Sequence, residues 1–455
     1  MSIGQVASFL LLVSGLAILL GMGGFGIASL VEGERRAARR AFALALAGAA
    51  LFSLAAIAPV VLRLVFLVVC TLSLAAFGVL FVLPIGRVAM GDDTPKRRVD
   101  EREIMFARAR LRPDSAEYQS YYAMHPEHQE SDDRTRSKPG LLSLQARFAN
   151  PFLFASPEGS FGLTGALREA VDGPVAGERQ VLPAEELTAY LKSLARYYGA
   201  LEVGVTELQP YHVYTHVGRG TGTYGDEVRL PHRYALAFTV AMDLDMVAAA
   251  PMPPIVMESA RQYVESARVA VQLAGAIRAL GYPARAHIDG NYRVIAPLVG
   301  RDAGLGEIGR MGLLMSPRQG PRLRLGVVTV DADLISDGRK TDGSVVDFCS
   351  ICKKCATNCP SQSIPFGERS EIDGALRWQI NSEACFHYWN VIGTDCGRCM
   401  AVCPYAHADN AFHNLVRWGI VRSGFFRRLA YWMDDFFYGE KPERHPGPAW
   451  TRVPG

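Results

Sequence analysis

The chain has 455 residues, 49% hydrophobic and 20% charged, with 44 glycines and 26 prolines. That balance excludes a disordered or collagen-like chain, and the length suits roughly two or three domains. The net charge of +3, from 48 basic and 45 acidic residues, gives no reason to expect a nucleic-acid partner. The apolar residues crowd at the N-terminus, which excludes a purely water-soluble protein.

Residues 1–31, 41–62 and 64–86 carry no charged side chain. A helix crosses a bilayer with about 20 apolar residues, so spans are expected near 5–29, 41–61 and 64–85. The first has no basic n-region and no cleavage site, and reads as a span rather than a signal peptide. The second and third form a tight hairpin around Pro59 and Arg63. The basic residues Arg35, Arg36, Arg39 and Arg40, then Arg87, Lys96, Arg97 and Arg98, place both flanks inside by the positive-inside rule. The expectation is a multi-pass protein of the inner (cytoplasmic) membrane, in contact with lipid, with residues 87–455 in the cytoplasm. The first histidine is His125, so these helices alone hold no haem. Cys70 reads as a small packed residue. Gly21, Gly23, Gly24 and Gly26 allow close helix approach.

Residues 1–90 are thus a three-span anchor, and 91–184 a linker and N-terminal extension. The polar stretch 112–140, with Pro113, Pro126 and Pro139, reads as a linker or extended wrap. In 185–345 the pattern is α/β. Helical periodicity runs over 186–199 and 259–280, and strands are expected at 201–205, 235–242, 284–288, 294–298 and 323–330. Residues 211–232 look like a long loop, a candidate substrate lid. Gly304, Gly306 and Gly309 fit G-x-G-x-x-G, but Pro317 leaves little room for the helix of a dinucleotide site. A loop approaching another large cofactor is the better reading.

Eight of the nine cysteines fall between 349 and 403. The runs are Cys349-x2-Cys352-x2-Cys355-x3-Cys359-Pro and Cys385-x10-Cys396-x2-Cys399-x3-Cys403-Pro. Three thiolates on one tight loop hold three irons of a cubane, and the fourth iron takes a cysteine from the other run. By that crossing, one [4Fe-4S] cluster takes Cys349, Cys352, Cys355 and Cys403, and the other takes Cys359, Cys385, Cys396 and Cys399. Disulfides fit a cytoplasmic domain poorly, and zinc does not explain the first run. The ten-residue gap reads as an inserted loop with His387, Tyr388 and Trp389. Residues 346–410 form this two-cluster ferredoxin-like module. The tail 411–455 is aromatic and basic, and its 412–438 stretch suits either a membrane surface or a helix packed on the core.

The stretch Asp302-Ala-Gly-Leu-Gly-Glu-Ile-Gly-Arg-Met-Gly-Leu-Leu-Met-Ser-Pro, followed by Gly320-Pro-Arg-Leu-Arg-Leu-Gly-Val-Val-Thr-Val-Asp331, resembles the corrinoid-binding core of reductive dehalogenases. Leu280-Gly-Tyr-Pro-Ala-Arg-Ala-His-Ile-Asp-Gly-Asn291 does too. Epoxyqueuosine reductases share a shorter version. The resemblance covers about 185–410. It implies a nitroreductase-like α/β fold holding base-off cobalamin, with the ferredoxin module over it. It also implies a tyrosine acid flanked by a cation.

Tyr263 matches that acid, and Ser259 shares its helical face at i and i+4. An unperturbed phenol ionises near pH ~10, so a cation must favour tyrosinate. Arg322 is the first choice and Arg324, a strand residue near the cofactor, the second. His287 and Asn291 are expected to line the pocket or touch the corrin. The reading is a membrane-anchored enzyme reducing a small organohalide. Its electrons come from a reduced ferredoxin, a flavoprotein or a quinol-linked protein. The alternatives are an epoxyqueuosine-type reductase and a two-cluster electron carrier. Respiratory dehalogenases carry a cleaved twin-arginine signal and a separate three-span anchor protein, whereas here the spans are fused to the catalytic chain.

Overall fold

The computed structural model describes residues 2–454 apart from 84 and 87. Arg87, one of the basic residues used for orientation, therefore lies outside the described residues. The chain divides into two compact units, Met1–Val88 with Ala408–Glu443, and Ala89–His407 with Arg444–Gly455.

The first unit holds three helices, Ile3–Val31, Arg35–Ile57 and Val60–Val82, each long and apolar enough to cross a membrane. Small residues set the spacing of the first two. A Cβ on Gly26 would lie 2.8 Å from the Phe42 ring, and one on Gly48 would lie 2.7 Å from Ile18. Gly21 and Gly23 instead face open space. The 412–438 stretch forms two helices, Ala411–Arg422 and Gly424–Phe437, started by the side-chain caps Asn410 and Ser423. They pack on the apolar helices of their own unit: Phe81 meets Trp418 at 5.0 Å and Phe426 at 4.6 Å.

The second unit is built on a four-stranded sheet. Its strand order is Val203–Glu207, Tyr234–Ala241, Leu323–Val330, Ala284–His287, antiparallel throughout. Side chains alternate between faces. Leu236, Phe238, Val240, Val328 and Val330 pack with the helices Ala184–Tyr197 and Pro254–Ala279. Ala235, Ala237 and Val327 pack on the opposite side with Val299 and Leu305. Gly326 is required on the first face, because a Cβ there would lie 2.2 Å from the Phe238 ring. The long helix opens on Pro254, whose missing N–H costs nothing at a first turn.

Three expectations change. Residues 294–298 are not a strand: Val294 makes an isolated bridge to Val213, and the helix Ala296–Asp302 follows. The 112–140 stretch is largely helical, with Ala116–Met124 and Pro126–Arg136. Ser115 caps the first, and Tyr118, Tyr121 and Tyr122 bury its apolar face despite the polar composition. Buried Arg108 grips Asp132 at 2.8 and 2.7 Å. The ten-residue gap between Cys385 and Cys396 is mostly helix, Ser382–Ile392, capped by Asn381 and ended by Gly393 at φ +82°.

Candidate active site

Tyr263 lies in the middle of the helix Pro254–Ala279, one turn after Ser259. Arg324 lies on the strand Leu323–Val330, paired with Val240. The two-residue period puts Arg324 on the same face as Val328 and Val330, which this helix covers. Its guanidinium carbon stands 5.0 Å from the Tyr263 ring centroid. Its Nη2 donates to Ser259 Oγ at 2.6 Å and lies 3.4 Å from Asp395 Oδ2. Ser259 Oγ in turn donates to Asp395. A helix, a strand and the loop before Cys396 thus meet at one tyrosine.

Burial pushes the Tyr263 phenol up, and Arg324 is the main charge pulling it back down. Asp289 and Asp395 oppose Arg324, while Arg219 helps it. Burial also raises the Asp395 carboxyl, against Arg324 and the Ser259 hydrogen bond. Phe161 closes one side of the Tyr263 ring at 6.3 Å.

The arginine over Tyr263 is therefore Arg324 and not Arg322. Arg322 is buried elsewhere, donating to Gln319 Oε1 at 2.8 Å, to Ala406 O at 3.2 Å and to Met242 O. The physical reason is a tight turn ahead of the strand, where Arg322 N–H bonds Gln319 O and Leu323 N–H bonds Pro321 O. The strand alternation does not reach back across that turn.

His287 and Asn291 are wholly buried and serve the scaffold. His287 Nδ1 accepts from Arg293 N–H at 3.1 Å, and its Nε2 meets Thr329 Oγ1 at 2.9 Å. Both nitrogens are used, so it does not line the pocket. Asn291 ties Arg285, the Arg168 carbonyl and Thr221 together, at 2.8, 3.0 and 3.0 Å. It thereby locks part of the 211–232 loop. Gly304, Gly306 and Gly309 allow the chain to approach itself. A Cβ on each would lie 2.9 Å from Gly338 O, 2.1 Å from Met315 O and 3.0 Å from the Met315 side chain. Sequence reasoning passed over Asp395, Asp289, Arg219 and Phe161. For Asp395 a signal existed: an acidic residue directly ahead of a cysteine in an otherwise uncharged run.

None of the nine cysteines forms a disulfide. Burial raises Cys403 well above its ordinary value, and the thiols of Cys349, Cys352 and Cys355 add to it. Burial raises Cys399 likewise, with Cys396, Cys355, Cys385 and Cys359 as charged neighbours. Two sets of four thiols thus gather across the two runs, with Cys355 and Cys399 where the sets approach. Arg310, fully buried, donates to the carbonyls of Cys349, Pro365 and Gly367 at 3.0, 2.7 and 2.6 Å. After burial, the thiols of Cys355 and Cys349 are the strongest electrostatic influences on Arg310. A buried cation beside buried thiols suits a group that binds them as thiolates, so the residues fit an anionic iron–sulfur cluster. For a corrinoid the relevant observation is two orphans beside Tyr263. Arg324 Nε and Asp395 Oδ1 are buried with no hydrogen-bond partner among the described residues. Buried polar atoms of that kind call for a partner from outside the chain, and both suit a polar-rimmed cofactor or its substrate.

Residues 348–407 match the 4Fe-4S dicluster domain family. The tetrachloroethene reductive dehalogenase of Sulfurospirillum multivorans is 32% identical over 292 residues, 56% of this chain and 58% of that enzyme. A catabolic reductive dehalogenase solved with 3-bromo-4-hydroxybenzoic acid aligns with a TM-score of 0.62 and 23% identity. The alignment covers 79% of this chain and 49% of that one. A further solved reductive dehalogenase structure, one that suggests a mechanism for B12-dependent dehalogenation, gives a TM-score of 0.62 and 24% identity, over 78% and 49%. Shorter stretches are similar to epoxyqueuosine reductases. The chain spans under two thirds of the length of the dehalogenases it matches. In sequence this chain is similar to reductive dehalogenases over about half of its length, and over most of its length it shares the fold of a solved one.

Proposed function

We propose that this protein is a membrane-anchored reductive dehalogenase, converting an organohalide to the corresponding C–H compound and halide. The balance is R–X plus two electrons and one proton, giving R–H and X⁻. The observation that carries this reading is Tyr263, set beneath the Arg324 guanidinium and one loop away from Cys396. That arrangement supports a proton source beside an electron-carrying module.

Cobalamin, when bound, supplies the strong reductant that cleaves the carbon–halogen bond; Arg324 and Asp395 carry the polar atoms left for it or for the substrate. Cys349, Cys352, Cys355 and Cys403 hold one [4Fe-4S] cluster, and Cys359, Cys385, Cys396 and Cys399 hold the other. Tyr263 donates the proton from its hydroxyl. Arg324 steadies the phenolate that remains, which lowers the cost of donation. Ser259 and Asp395 hold Arg324 in place. Electrons enter from a reduced ferredoxin, a flavoprotein or a quinol-linked partner. The spans lie in the inner membrane with the catalytic unit in the cytoplasm; Arg35, Arg36, Arg39 and Arg40, with Lys96, Arg97 and Arg98, support that side.

The test is metal content and halide release of the anaerobically purified, detergent-solubilised protein reconstituted with cobalamin. About one cobalt and about eight irons per chain, with halide release lost in Tyr263→Phe, are expected. Eight irons with no retained corrinoid, and no halide release, would leave an electron carrier instead.

A further inference from the structure

A second cluster of ligating side chains lies away from Tyr263. His125 sits just ahead of the helix Pro126–Arg136, Pro126 starts it, and Glu127 and His128 follow in its first turn. Glu127 Oε1 stands 3.3 Å from His125 Nδ1 and 3.7 Å from His128 Nε2. One ligand atom from each of the three lies within 4.8 Å of the others. Zinc ligands at about 2.1 Å in a tetrahedron are about 3.4 Å apart. The two observed edges bracket that value, and the third is short enough to close with a side-chain rotation.

The surroundings are built as they are around ligating histidines. His128 Nδ1, the nitrogen turned away from Glu127, lies 3.2 Å from Glu383 Oε1. A carboxylate behind an imidazole fixes its tautomer and makes the other nitrogen a better donor. Glu383 is itself fixed, accepting from Arg108 Nη2 at 2.8 Å and from Ser131 Oγ at 3.0 Å. The His125 ring stacks on Tyr121 at 4.9 Å. The helix N-terminus is electropositive and opposes a cation, but the Glu127 and Glu383 carboxylates supply two negative charges against it.

We propose that His125, Glu127 and His128 bind a divalent cation of the zinc class, with Glu383 as the carboxylate behind His128 and water in the open position. The ion joins the helix Pro126–Arg136, through Glu383, to the helix Ser382–Ile392 that carries Cys385. It is a clamp on one wall of the cluster module. The proposal does not rest on dehalogenase activity.

Equilibrium dialysis of the full-length, cluster-loaded protein against submicromolar free zinc tests it, with zinc and iron measured together. The expected result is one zinc per chain with iron unchanged, abolished in the His125→Ala/His128→Ala double variant. Glu383→Gln should weaken binding by about 10- to 100-fold, and Glu130→Gln, one turn along on the exposed face, should leave it intact. Iron content confirms that each variant is folded. Absence of stoichiometric zinc, zinc that persists in the double variant, or zinc taken up only as iron is lost would each overturn the proposal; the first would leave simple imidazole–carboxylate pairs.

Discussion

Replacing Arg324 with Gln removes the cation that steadies Tyr263 while keeping much of the side-chain volume. Taking the 5.0 Å from the guanidinium carbon to the ring centroid as the charge separation, Coulomb's law with an effective dielectric of about 20 gives an interaction on the order of 3 kcal/mol. An interaction of that size corresponds to a factor on the order of 100 in an equilibrium or rate. The tyrosine is already raised by burial, so the variant should donate its proton about 100-fold less readily. Burial already raises the Asp395 carboxyl, and losing Arg324 removes the main charge that pulls it back down. The assay is anaerobic halide release with a chemical reductant, followed across pH. In Arg324→Gln, kcat/KM should fall about 100-fold and the basic limb should move to higher pH. Arg324→Lys should recover part of the loss. Arg322→Gln should keep the wild-type profile but lower Tm, since it abandons the carbonyls of Met242 and Ala406. Unchanged kcat/KM and pH profile in an Arg324→Gln protein with full iron content would refute the reasoning, as would the same loss produced by Arg322→Gln alone.

Cluster ligation should follow the crossed grouping: Cys349→Ser and Cys403→Ser should disturb the same electron paramagnetic resonance signal, and the pair together should cost no more than about four irons. Combining Cys349→Ser with Cys359→Ser should instead cost about eight. Stability should fall as the pH drops below ~6.5. Burial holds His287 well below the ordinary histidine value and lowers His232, so the unfolded chain binds the extra protons. Each contributes a loss of up to about 1.4 kcal/mol per pH unit below that point, and a denaturant midpoint that rises or stays level between pH 7 and 5.5 would contradict this. Gly306→Ala should destabilise the fold by at least about 3 kcal/mol, read as a lower Tm. Its φ is +154°, and the new Cβ would meet the Met315 carbonyl at 2.1 Å.

Some features were legible without a structure because they depend on local chemistry alone. Uncharged runs of more than 20 residues have few folded destinations besides a bilayer. The C-x2-C-x2-C-x3-C-P run encodes its own loop geometry, and the 3.6-residue period marked the helix that carries Ser259 and Tyr263. The polar stretch 112–140 misled because its helices are held by three buried tyrosines and the Arg108–Asp132 pair, which composition does not reveal. His287 and Asn291 drew notice as polar residues in an apolar neighbourhood, but whether a buried polar group serves a ligand or the scaffold depends on its partners, and these come from residues up to 123 positions away. The choice between Arg322 and Arg324 was beyond the sequence for the same reason. Two residues apart on one chain, they part company at a turn, and only the packing of the Tyr263 helix on one face of the sheet decides which guanidinium reaches the ring. Asp395, 132 positions from Tyr263, joins them because the cysteine module folds against that helix. The sequence by itself determined the three long apolar helices, the two cysteine runs and the tyrosine's helix, each fixed by periodicity or spacing; the tertiary structure alone decided which charges surround the tyrosine, because electrostatic neighbours are set by distance in space.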